Sequence, residues 1–82
     1  MNMTANETSA MYMDKQKALD DRKLFVHNLG LLLMQTREGV VSCELDDHEL
    51  VTITYRGGGT HKVNVNMDSY AAIVQDVAKN VT

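Results

Sequence analysis

Cys43, His48 and the carboxylates Asp46, Asp47 and Glu49 crowd one short stretch of this chain, and together they hold the residue types that bind metals or activate nucleophiles. A structural zinc site needs four ligands at recognisable spacing, and this stretch does not supply that set. Alternation along Val40 to Leu45 puts Cys43 on the same face as Val41 and Leu45, so the cysteine reads as a small core residue and the acidic turn as a solvated one. A cysteine–histidine nucleophile also needs an oriented base. Of His27, His48 and His61, only His61 occupies a notable place, at the edge of an apolar strand face, where capping the core is the simpler role. The paired carboxylates Asp20-Asp21 and Asp46-Asp47 are sequence neighbours, and neighbours on a helix point in different directions, so Asp20-Asp21 forms no dyad. The expectation is a non-enzymatic protein with no catalytic residue, no cofactor site and no metal site.

Three consecutive glycines, Gly57-Gly58-Gly59, invite comparison with phosphate-binding loops. Such loops join a strand to a helix, so that amides and the helix dipole converge on the anion. Here the glycines join two β-branched runs, Leu50 to Arg56 and Thr60 to Met67, which is the signature of a hairpin turn.

Charge narrows the partners. A net charge of -3 argues against a general nucleic-acid binder, which carries a basic excess to neutralise phosphates. The alternative kept open is a nucleic-acid-associated accessory protein that touches phosphate through the hairpin tip, with Arg56, His61 and Lys62 as the contact. Lys15, Lys17, Arg22 and Lys23 form a second basic group, but Asp and Glu interleave with them, as on a solvated helix face. The single cysteine calls for no oxidising compartment, no basic-then-apolar leader opens the chain, and no apolar run reaches membrane-spanning length. These observations set expectations of a cytoplasmic protein with no membrane association.

Eighty-two residues give one domain, expected over 11–82 behind a fraying head at 1–10. Tyr12 to Arg37 has good helix formers and no proline, and reads as one long helix. At 100° per residue, Met11, Ala18, Leu19, Arg22, Phe25, Val26, Leu29, Leu32 and Leu33 share a broad core face, while Leu24, Leu31 and Met34 form a second apolar stripe. A helix apolar on two sides expects two partners. The second stripe is therefore the expected self-association surface, of a homodimer or toward an unknown protein partner. Gly30, inside the helix, suggests close approach of another element or a bend, and Gly39 a left-handed terminator.

Three strands follow, Val40–Leu45, Glu49–Arg56 and Thr60–Met67, then a helix Ser69–Val81 capped by Asp68. Apolar faces coincide only if paired residues keep the right parity. Three-residue loops at Asp46–His48 and Gly57–Gly59 satisfy this, setting Leu45 opposite Glu49, Cys43 opposite Val51, Tyr55 opposite His61, Ile53 opposite Val63 and Val51 opposite Val65. The expected architecture is a two-layer α+β domain, α-β-β-β-α, with a three-stranded antiparallel meander and a long N-terminal helix.

Overall fold

The computed structural model describes the backbone of residues 4–81 and the side chains of residues 14–81. Helix α1 (Thr4–Thr36) leads into strands β1 (Val40–Leu45), β2 (Leu50–Tyr55) and β3 (Thr60–Asn64), and helix α2 (Tyr70–Asn80) closes the chain. The strands form an antiparallel sheet in the order β1-β2-β3, so the expected α-β-β-β-α meander is the fold. Both helices pack on one face of the sheet. Val26, Leu29 and Leu33 of α1 meet Cys43, Val51, Ile53 and Val63 of the strands, and Ile73 and Val77 of α2 complete the core. Helix α1 begins at Thr4, eight residues ahead of the expected Tyr12. Of the head expected to fray, 1–3 lie outside the described residues.

Gly30 sets the seat of α1. A Cβ built on it would lie 2.5 Å from the backbone nitrogen of Cys43, closer than real Cβ atoms come to any such neighbour. The missing side chain lets the helix sink onto β1, and close approach, rather than a bend, is the use of this glycine. With Gly30, Val26 and Leu33 facing the sheet, the opposite side of the same turns must face water. Leu32 therefore departs from expectation: it sits on the flank of the wheel and is 57% exposed instead of lying in the core.

Both hairpin registers differ from those expected, each by two residues. Leu45 pairs with Val51 and Cys43 with Ile53. Val51 pairs with Val63 and Ile53 with His61. Because each slip is even, every apolar face stays inward. The loops still hold three residues but start at different places. In the first, Asp46 Oδ1 accepts hydrogen bonds from the amides of His48 (2.8 Å) and Leu50 (3.0 Å). Asp46 thus stays in the ladder, its amide bonded to Leu50 O, and the loop becomes Asp47-His48-Glu49 with Glu49 at φ 58. In the second, Gly57 and Gly58 take the left-handed places (φ 97 and 96), and the Tyr55 amide closes onto Gly59 O. Gly59 joins the strand side, and Tyr55 faces Gly59 rather than His61.

Three further details differ. A bulge between Val40 and Ser42 turns Val40 into the core (3% exposed) and Val41 outward (44%), the reverse of the simple alternation. Strand β3 ends at Asn64 because Asn64 Oδ1 accepts from the Asn66 amide at 2.9 Å and bends the chain. Met67, which alternation along the expected strand Thr60–Met67 places on the face of Val63 and Val65, stands 92% exposed at φ 68. The cap of α2 is Ser69, whose Oγ accepts from the Ala72 amide at 3.2 Å, one residue later than expected.

Gly30→Ala is expected to lower stability by about 1–3 kcal/mol through overpacking, although alanine is the better helix former by about 1 kcal/mol. Urea denaturation showing an unchanged or more stable variant would contradict the seating of α1 on Cys43. Gly59→Ala, which meets open space and needs no left-handed backbone, serves as the near-neutral control.

Candidate functional site

Two surfaces stand out once the fold is in place: a polar clamp at one end of the sheet and the outer side of α1. The clamp is built on Arg22. Its position on the core face of the wheel brings a guanidinium over the loops at the end of the sheet, where it is largely buried. One terminal nitrogen donates to Asp68 O at 2.7 Å and the other to Val65 O at 2.9 Å. Glu49 Oε1 lies 2.6 Å from Nε as an ion pair, with no aligned hydrogen bond at that nitrogen. Arg22 thereby ties α1 to the β1–β2 turn and to the link between β3 and α2. Lys23 adds a second tie to the same turn through Asp47, and that contact raises the lysine pKa.

The clamp floors an open depression of about 410 Å3, with Ala18, Leu19 and Met67 as apolar wall and Glu49 and Asp68 at its polar end. Glu49 and Met67, the two described non-glycine residues with left-handed backbones, both line it. Two of its carboxylates are paired, Glu49 with Arg22 and Asp47 with Lys23. Asp68 Oδ2 is sealed from solvent without a hydrogen-bond partner. The neighbouring Asp76 carboxyl, then burial, raise the Asp68 pKa. The arrangement fastens loops to a helix.

Cys43 is fully buried, and burial pushes its thiol up to about 11, so at neutral pH it is a protonated core residue under Gly30. His48 sits exposed in the first turn, apart from it. Among the described residues, no group of three His, Cys, Asp or Glu side chains is placed to hold a metal ion.

The hairpin tip does not gather its basic residues. Arg56 lies in the loop, its amide bonded to Gly39 O at 2.7 Å. His61 pairs opposite Ile53 and its Nε2 lies 2.9 Å from Asn80 Oδ1. Lys62, the next residue, projects from the other face opposite Thr52. Tyr55 also reaches the end of α2, its hydroxyl donating to Asn80 O at 3.1 Å. His61 and Tyr55 thus secure α2 to the sheet, while Lys62 stands apart.

The outer side of α1 gathers its expected residues. Leu24, Leu31 and Met34 are 60%, 42% and 46% exposed, and Leu32 joins them. His27 stands beside this stripe with Nδ1 2.6 Å from Glu44 Oε1. Sequence reasoning found the stripe but missed the clamp. An arginine on the core side of a helical wheel was the available signal, since such a charge is retained only with partners.

Arg22→Met is expected to cost about 2–4 kcal/mol, by taking the guanidinium donor from Asp68 O and from Val65 O, which keeps only the Asp68 amide, and by leaving Glu49 without its countercharge. Denaturant titration giving a loss near zero would remove the clamp. For Asp68 the sign follows from its raised folded-state pKa. The folded protein binds the proton more tightly than the unfolded chain, so stability falls as pH rises from about 4 through that pKa. Asp68→Asn is expected to flatten this slope and to be more stable than the parent at pH 7; parallel pH profiles of the two would refute it.

Comparison with protein-family models, with curated proteins and with solved structures finds no match to this chain, so its functional reading stands on the geometry of α1 and the sheet.

Proposed function

We propose that this protein is a small intracellular, non-enzymatic interaction module that self-associates through the outer face of α1. The observation carrying the reading is the exposure of four large apolar residues on one helix, Leu24 and Leu31 on the side away from the sheet and Leu32 and Met34 on its flanks. Isolated exposed apolar residues are ordinary, but a concentration of them on one element marks an interaction surface. The shape supports the same reading. At about 1.5 Å per residue, the 33 residues of α1 extend roughly 50 Å. The Cα radius of gyration is 15.7 Å, against about 12 Å for a compact chain of this length. The described side chains ahead of Ala18 lie exposed. A helical segment standing out from its domain is marginal in water on its own and gains from a neighbour. The free, buried cysteine is in keeping with a reducing compartment.

Leu31→Asp is expected to convert a dimer to a monomer by light scattering while leaving the circular dichroism spectrum intact, because residue 31 contributes nothing to the core. A parent protein that is already monomeric at high concentration would overturn the proposal.

A further inference from the structure

The outer face of α1 carries a pattern with a direction. Lys17, Leu24, Leu31 and Glu38 are spaced by seven, two helical turns less about 20° per step, so they run as one slowly drifting line. Lys17, Leu24, Leu31 and Glu38 are all exposed. Glu38 lies just beyond Thr36, but Arg37 N still donates to Leu33 O at 2.7 Å, which carries the helical path almost to it. The inner side of the helix is committed to β1 through Gly30, which leaves this line open to a second helix.

Read from either end, the line is charge, leucine, leucine, opposite charge. We propose that two copies of this chain pair through α1 in antiparallel orientation. Lys17 then meets the partner's Glu38, Leu24 meets the partner's Leu31, and a two-fold axis between His27 and Asn28 repeats both contacts. The proposal rests on the self-association proposed above and adds the partner's identity and direction.

Charge decides the orientation. A parallel, in-register pair sets lysine against lysine and glutamate against glutamate at its two ends. The antiparallel pair turns both repulsions into attractions and keeps the leucines together. The competing contact within one chain is weak: Lys17 Nζ lies 3.7 Å from Asp21, with both side chains more than half exposed. The same register also places Asp20 beside the partner's Gln35, a charged acceptor beside an amide donor. From Lys17 to Glu38 the seam runs about 32 Å. That length matters, because a standard interface buries roughly 800 Å2 per partner and contact around the leucines alone is too short to provide it.

Charge exchange tests the direction. In sedimentation equilibrium of the full chain at low salt, Lys17→Glu and Glu38→Lys are each expected to raise the dimer dissociation constant about tenfold, an effect that shrinks with added salt. The double variant, with both charges exchanged, is expected to return to the parent value. All four residues of the line lie outside the core, and circular dichroism verifies that each variant folds. If the single variants dimerise like the parent, or the double variant fails to recover, the antiparallel pairing is wrong while self-association stands. If the parent is monomeric, self-association itself fails and this inference with it.

Discussion

The contact between Gly30 and the backbone of Cys43 is the constraint from which the other features follow. A helix can approach a strand this closely only where a side chain is missing, and α1 has one glycine. Once that point is pinned, the rotation of α1 is fixed. Val26, Leu29 and Leu33 enter the core, Arg22 comes down over the loops at the end of the sheet, and Leu24 and Leu31 turn outward. The same contact seals Cys43 and keeps its thiol protonated. The apolar stripe on the outer face is thus not a failure of burial. It is the necessary reverse of a helix that is apolar on two sides and whose inner side is already taken.

Polar contacts complete what the apolar core leaves open. The core runs through the middle of the sheet, and each end is closed by hydrogen bonds to side chains. At one end Arg22 gathers Glu49, Val65 and Asp68. At the other, Tyr55 and His61 both reach Asn80 of α2. Along the β1 side of α1, Lys23–Asp47 and His27–Glu44 bind the helix to the outermost strand and its turn. Such exposed pairs add little stability each. The clamp at Arg22 differs in being largely withdrawn from water, where a missing partner costs far more than an exposed pair gains.

Much of this was legible in the residues. Helical periodicity separated the core face from the Leu24–Leu31–Met34 stripe, β-branched alternation located the three strands, and parity kept their apolar faces together. What failed was position along the chain. Both registers slipped by two because the Asp46 carboxylate and the left-handed demands of Gly57 and Gly58 chose where each loop began. The bulge after Val40 and the exposure of Met67 depend on local bonds that no alternation rule contains. The basic residues at the hairpin tip were near in sequence, yet adjacent strand residues face opposite ways, and so His61 and Lys62 part company.

Element order, the sheet's meander, the main apolar faces and the helix stripe are written in the chain's local pattern, because they follow from periods of 3.6 and 2 residues. How closely α1 seats on β1, the joining of three distant segments by Arg22 and the exposure of Leu32 are outcomes of the folded chain. Those outcomes turn on contacts between residues far apart in the chain: Gly30 on Cys43, and Arg22 on Glu49, Val65 and Asp68. A local period says which residues share a face. It cannot say what that face will meet.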